Sequence, residues 1–344
     1  MNPHHFRLSR LPSQFIALLS VAAWVGCGTS PGDDDSGTGG STSTGGSSQS
    51  GGSTSTGGTN AAGDPPSGAA CAKEERLGSF VFNLTDTRTS FRGAISNGVA
   101  VNAIPDLLAT EGSCVLEGVP NLFCATPCES GQICAGDDQC VPAPEKVSAG
   151  TVTVTGLSTE VVEEPNPITL EYSSTFEDPY PGFVPGASLM LTASGDTAPA
   201  FSLVGEGVGL VTSTLETAVI ETGADLELSW NADGATEHSQ MAILLTVDAH
   251  GGTSGWITCV ADDSGSFTVP ADLIQQLIDL GLSGFPSVVL TRQTVDAQAV
   301  ADGCVDLTVG SELKLPVSID GLISCNNSDE CPEGQTCSTS LACE

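Results

Sequence analysis

The chain has 344 residues, with 9 Lys or Arg against 42 Asp or Glu and a net charge of −33. Nucleic acid and anionic lipid headgroups are bound through clustered cations, so this balance excludes both as surface partners. Thirteen cysteines in a chain this acidic read as an exported protein held together by covalent links.

Residues 1–26 divide as export signals do. Arg7 and Arg10 give a positive start without an acid, and the apolar run Phe15 to Val25 follows. That run is too short for a stable span, which takes ~20 apolar residues. Val25-Gly26-Cys27 then resembles the lipobox of bacterial lipoproteins, with Trp24 where that family usually has Leu. The resemblance implies a removed signal peptide (1–26), a lipidated Cys27 as the new N-terminus, and the outer membrane as destination, because Gly28 rather than Asp follows. The alternative is an ordinary secretory signal that contains a cysteine. Each buried methylene contributes ~0.8 kcal/mol, so several acyl chains anchor stably where one is marginal. Removing Arg7 and Arg10 takes the charge from −33 to −35.

Residues 27–70 read as a disordered tether. Gly, Ser and Thr dominate, and Gly39–Gly46 recurs unchanged at Gly51–Gly58. Such a stretch has too little apolar surface to offset the entropy of ordering. A coil of this length extends about 35–40 Å. Asp33-Asp34-Asp35 lacks the Gly and terminal Glu of an EF-hand loop and reads as solvated charge.

From Cys71 onward, short alternating runs are separated by Gly, Asp, Asn and Pro. Phe80, Phe82 and Leu84 share a face, and 151–155 alternates throughout. Further strands are expected at 168–172, 189–191, 201–204, 226–230, 241–247, 256–260, 267–269, 287–291, 305–309 and 313–319. Asp262-Asp263-Ser264-Gly265 reads as a hairpin loop. One helix is expected over 270–281, with Leu273, Ile274, Leu277 and Ile278 on one stripe, Pro270 at its start and Gly281 at its stop. The expected fold is mainly β: two antiparallel β-sandwich modules, 71–213 with an inserted cysteine-rich unit 114–140, and an Ig-like 214–321. A cysteine-rich unit 322–344 closes the chain. One larger sandwich is the alternative.

With Cys27 given to lipid, twelve cysteines remain and read as six disulfides. No C-x2-C pair occurs, which argues against zinc, and no cofactor or metal is expected. Cys128–Cys140 and Cys331–Cys343 share the pattern C-x2-G-Q-x-C-x5-C, each with a further cysteine upstream, Cys124 and Cys325. Four cysteines allow three connectivities. Interleaved pairing keeps both loops moderate: Cys124–Cys134 with Cys128–Cys140, and Cys325–Cys337 with Cys331–Cys343. The remainder are expected as Cys71–Cys114 and Cys259–Cys304. The small units resemble the short cysteine-rich repeats of extracellular proteins, of the Dickkopf or EGF-like sort. The tether after Cys27, the cysteine unit among strands and the stretch Trp256-Ile-Thr-Cys259 to Gly265-Ser-Phe-Thr-Val-Pro270 together resemble predicted surface lipoproteins of myxobacteria. That resemblance implies a cell-surface location and no chemistry.

No enzyme is expected. G-x-S-x-G, H-E-x-x-H and a P-loop are absent from the sequence. His238 and His250 sit in polar, turn-like contexts, and Ser311-x-x-Lys314 precedes an alternating strand without its partner motifs. Paired carboxylates leave a hydrolase as the lesser alternative. The leading expectation is a binding or adhesion module for a protein or polysaccharide, held to the membrane through its lipid. A passive envelope component is the other reading. Tyr172, Phe176, Tyr180 and Phe183 cluster in the Pro-rich stretch 165–185, which reads first as a long loop folded back to cover the sandwich and second as the place to look for a ligand surface; Trp230 is expected in the core.

Overall fold

A computed structural model describes residues 61, 63–135, 138–247, 254–300 and 303–344. The signal, Cys27, nearly all of the tether and His250 lie outside the described residues.

The chain runs through β1 (Arg76–Leu84), β2 (Thr89–Ser96), β3 (Asp106–Glu111) and β4 (Cys114–Gly118). A stapled ribbon follows, β5 (Gln132–Ala135) and β6 (Gln139–Pro142), then β7 (Lys146–Val147), β8 (Val152–Thr155) and β9 (Val161–Glu163). Next come β10 (Tyr172–Phe176), β11 (Ser188–Ala193), β12 (Phe201–Glu206), β13 (Ala218–Ile220) and β14 (Leu226–Ser229). The remainder is β15 (Gln240–Thr246), β16 (Gly255–Asp262), β17 (Ser266–Val269), α1 (Ala271–Asp279), β18 (Ser287–Val300) and β19 (Gly303–Ile319). The fold is thus mainly β with one α-helix among the described residues. On α1, Leu273, Ile274 and Leu277 are buried, Asp225 accepts the N–H of Ala271 at 2.8 Å, and Gly281 turns the chain away at φ 132°.

Eleven strands form one sheet, ordered β10-β2-β1-β19-β18-β15-β16-β4-β3, with β13 and β7 attached to β19 and β2. A second sheet is ordered β12-β11-β8-β9. The pairing is antiparallel except where β1 and β13 run parallel to β19, a departure from the purely antiparallel expectation. The expected strands 305–309 and 313–319 are one strand, and 287–291 continues to Val300. At ~3.4 Å per residue the resulting hairpin is about 45 Å long. The strand expected at 168–172 starts only at Tyr172, and Ile168 is exposed.

The hairpin carries two hydrophobic cores on one face. In an antiparallel pair, residues directly opposite share a face. Leu290 opposes Leu313 and Val288 opposes Leu315, all in one core; farther along, Val305, Leu307 and Val309 enter the other opposite Gln298, Asp296 and Thr294. The first core joins them to Phe80, Phe82, Phe91, Leu189, Leu203 and neighbours. The second gathers β4, β14–β17 and α1. The cores therefore do not follow a boundary at residue 213. Cys114 and Leu116 belong to the second core, while Val300, Val305, Leu307 and Val309 return to the first.

Between the cores Arg292 opposes Ser311. Arg292 is fully buried. Its Nε donates to Asp263 Oδ2 at 2.6 Å and its Nη2 to Asp263 Oδ1 at 3.1 Å. Nη1 donates to the carbonyls of Leu210 and Asp233, and Nη2 also to that of Asn231. All five guanidinium N–H groups are thereby used. Asp263 further accepts Trp230 Nε1 at 2.8 Å and the Ser239 hydroxyl at 2.9 Å. The expected hairpin at 262–265 is accordingly not one. β17 leaves β16 and pairs with β14, and the connecting acid turns inward to the arginine.

Six disulfides staple the structure. The small units are interleaved, Cys124–Cys134 with Cys128–Cys140 and Cys325–Cys337 with Cys331–Cys343. Cys134 faces Cys140 across the β5–β6 ribbon as Cys337 faces Cys343 across a single bridge, so the repeated sequence is a repeated structure. The other two bonds correct the expected pairing: Cys71 joins Cys304, and Cys114 joins Cys259, its direct opposite on β16. The physical reason is the sheet order, which makes β4 a neighbour of β16 and brings the start of β19 beside β1.

Two outcomes test this arrangement. Non-reducing peptide mapping should recover Cys71 linked to Cys304 and Cys114 linked to Cys259; a Cys71–Cys114 peptide would contradict it. Arg292→Met leaves the Asp263 carboxylate buried without its cation, so chemical denaturation should show a loss of about 3–5 kcal/mol. Both cores share the hairpin, so fluorescence and far-UV signals should be lost in one transition.

Candidate binding surface

Of the two readings of 165–185, the loop folded back over the sheet is the one observed, and the ligand surface is not. Tyr172 and Phe183 are buried in the first core. The Tyr172 hydroxyl accepts the Ala149 N–H and donates to the Gly150 carbonyl, each at 2.9 Å, which explains how a tyrosine sits there without an unsatisfied oxygen. Phe176 packs partly buried against the same core, and Tyr180 donates to the Thr85 carbonyl at 2.7 Å. The segment folds back over the sheet, and Tyr180 alone of the four is exposed. Trp230 lies in the second core, on the face it shares with Leu226 and Leu228.

The polar candidates are scattered. His238 Nδ1 lies 2.7 Å from Glu206 Oε2, while the adjacent Ser239 hydroxyl is turned to Asp263. Ser311 is buried and accepts the Val211 N–H at 3.1 Å, and Lys314 is exposed. Three residues apart on a strand, the two point to opposite faces. The sulfurs within ligand range of one another, those of Cys124, Cys128 and Cys140 and of Cys325, Cys331 and Cys343, belong to disulfides and offer no thiolate.

The chain arrives at the fold through a cross-linked clamp. Gly68 donates to the Val295 carbonyl at 2.9 Å, and Ser67 donates its N–H to Asp296 at 3.1 Å. Cys71 is then bonded to Cys304, and Arg76 Nε sits 2.9 Å from Asp306 Oδ2. Burial pushes the Asp306 carboxyl from 3.8 up to about 6, against the opposing pull of the Arg76 guanidinium and the Cys71 backbone. Lys73 pairs with the buried Glu117, which also accepts Trp256 Nε1 at 3.0 Å.

One end of the large sheet exposes an apolar rim. β3 is the last strand in the sheet order, paired with β4 on one side. Its residues are exposed except Ala109, which packs on the second core. The register slips between Leu107 and Ala109, so Leu108 forms a bulge. It lies over Gly118, where an added Cβ would meet its Cδ1 at 3.1 Å. Gly118 faces Gly255 across the pair, and a Cβ on Gly255 would meet Leu280 Cδ1 at 2.7 Å. Two opposed glycines thus leave room for Leu108 and Leu280 to lie down over the sheet end. Val119 N donates to the Ser254 carbonyl at 3.3 Å, and the chain continues through Leu122 and Phe123 to Cys124. Leu107 is 66% and Phe123 79% exposed, unusual values for large apolar groups.

The field around this rim is acidic. Asp106, Glu111 and Asp279 are exposed there, and the sequence has no Lys or Arg in 93–145 or in 147–291. Lys73 reaches the neighbouring strand, but Glu117 takes its charge. Sequence reading passed over these residues. The available signal was the pair Leu107-Leu108 beside acids instead of the polar alternation of a solvated strand.

No known family model matches the chain, and no curated protein does. Among solved structures, the chain shows a likeness to the FN1–FN3 domains of chicken CNTN1, at 9% identity and a TM-score of 0.16, covering 67% of this chain and 75% of that one. A likeness at that TM-score carries no argument about this chain. What its own structure defines is a disulfide-stapled, mainly β protein of the extracellular kind. No described helix is long and apolar enough to cross a membrane.

Asp306 gives a pH test with a defined sign. The folded state holds a proton between about 4 and 6 that the unfolded chain releases. This contribution is complete below the unfolded pKa and is lost as pH rises through about 6. Asp306→Asn carries no such term. The stability of wild type relative to Asp306→Asn should therefore fall by up to about 3 kcal/mol between pH 4 and 7, read from denaturation midpoints at each pH.

Proposed function

We propose that this protein is lipid-anchored at the outer membrane through Cys27 and displays a stapled β module whose work is binding rather than catalysis. The observation that carries the binding half is the exposure of Leu107 and Leu108 on the edge strand β3, and of Phe123 on the segment leaving β4, all held in water by a cross-linked scaffold. A chain with no recognition role has little reason to keep such groups exposed beside an open sheet edge. The anchoring half rests on the sequence, the Val25-Gly26-Cys27 box and the tether beyond it, and on six disulfides that require an oxidising compartment. The ligand is a polypeptide in preference to a polysaccharide. The rim is aliphatic with one Phe, and it has none of the Trp or Tyr platforms on which sugars stack.

Metabolic labelling with radioactive palmitate tests the anchor. Wild type should be labelled and recovered with membranes, and Cys27→Ser should be unlabelled and released. Brief protease treatment of intact cells should cleave the wild-type chain if it is displayed outward. An unlabelled wild-type protein in the medium would end this reading.

A further inference from the structure

We infer that β3 is a docking edge for an extended, cationic and apolar polypeptide strand, which adds to the sheet outside β3 and lays its apolar side chains on Leu107 and Leu108. This deepens the binding role proposed above and rests on it.

Three observations converge on strand addition. First, β3 has a strand partner on one side only among the described residues, and an unpaired edge presents a row of backbone donors and acceptors. Second, side chains that reward a docked strand are in place. Leu107 and Leu108 share the bulge, and both are exposed. Main-chain bonds supply affinity in this mode, and side-chain contacts supply selection. Third, the edge lacks the lysines that usually block such pairing, and its charges are all of one sign.

The same charges choose the occupant. A second β3 laid antiparallel and centred would set Asp106 opposite Glu111 at both ends, and like charges directly opposite are destabilising. The bulge further prevents two copies from zipping along their whole length. The chain's own tether has no Lys or Arg in residues 11–72, so it has no complementary charge to bring. A strand carrying both Lys or Arg and Val, Ile or Leu meets both requirements, with apolar groups against Leu107 and Leu108 and cations towards Asp106 and Glu111 near the two ends of β3.

The test uses the full-length chain and a fluorescent peptide alternating Lys and Val, read by anisotropy at near-physiological salt. Two controls separate pairing from plain attraction. One is the same peptide N-methylated on alternate amides, which keeps charge and side chains but loses the bonds to the edge. The other is Leu107→Ser with Leu108→Ser, two exposed positions of β3, with an unchanged melting temperature required. Saturable binding that falls by about tenfold or more in each control is expected, equivalent to about 1.4 kcal/mol or more. Equal binding of the N-methylated peptide, equal binding by the variant, or no binding of the parent peptide would each overturn the inference. So would capture of a neutral polysaccharide by the same rim in place of the peptide. Palmitate labelling of Cys27 is independent of all these outcomes, so failure here is distinguishable from failure of the anchor.

Discussion

The fold turns on one buried cation. Arg292 is wholly enclosed, and a guanidinium out of water is tolerated only when its charge is paired and each N–H is bonded. The structure meets that demand by converging four separate stretches on it. The linker at Leu210, the loop at Asn231 and Asp233, the acid at Asp263 and the strand β18 itself must all be in place together. The arginine therefore ties together distant parts of the chain. It does this where specification is most needed, on the polar row with Ser311 that separates two apolar cores on one hairpin face. Without a polar divider, that face would be a continuous greasy strip, with little to fix which elements cover which half.

The second half of β18 solves a related problem. Beyond Gln293 it has no further β15 to pair with, and β12 is an edge strand of the other sheet. Side chains substitute for a backbone ladder between them. Thr294 Oγ1 accepts from Glu206 N, Asp296 Oδ2 from Val204 N and Gln298 Oε1 from Ser202 N, at 3.1, 2.9 and 2.9 Å. The spacing is two residues on each strand, so one face of β18 meets every second N–H of β12. Asp296 is buried with these bonds, and its other oxygen receives Ser67 of the arriving chain. One edge is thereby closed by side chains, and the contrast with β3, left open at the far end of the large sheet, is sharper for it.

Much of the local structure was legible in the sequence, because local rules decide it. The face of Phe80, Phe82 and Leu84 follows from period-two alternation. The helix follows from the stripe through Leu273, Ile274 and Leu277. The repeated Gly-Gln unit gave matching four-cysteine staples. What failed were assignments that depend on which distant segments meet. The pairing of Cys71 and Cys259 needs the order of strands in a sheet, and that order contains parallel neighbours and a crossover that alternation does not encode. Asp263 read as turn chemistry, since Asp-Ser-Gly is what a tight loop uses, yet burial beside Arg292 outweighed the local preference. A quiet signal was present. Arg292 is the one basic residue between Lys146 and Lys314, placed within an otherwise strand-like run. The aromatic stretch 165–185 folds back over the sheet, the first of its two readings, and Tyr172 finds two backbone partners that let it be buried.

The scarcity of cations links these features. Nine basic residues serve 344, and those in the folded part are largely committed: Lys73 to Glu117, Arg76 to Asp306, Lys146 to Glu171 and Arg292 to Asp263. Spent on fixing the arriving chain and dividing the cores, they are not available as guards on the outer edge. Protection of that edge falls to the acids, and acids protect asymmetrically. They repel another copy of this chain, and any other acidic neighbour, while they attract a basic strand. An edge guarded by lysine in a mixed surface would refuse partners of either kind more evenly. The rim at β3 is thus safe from self-association for the same electrostatic reason that it is open to a cationic partner.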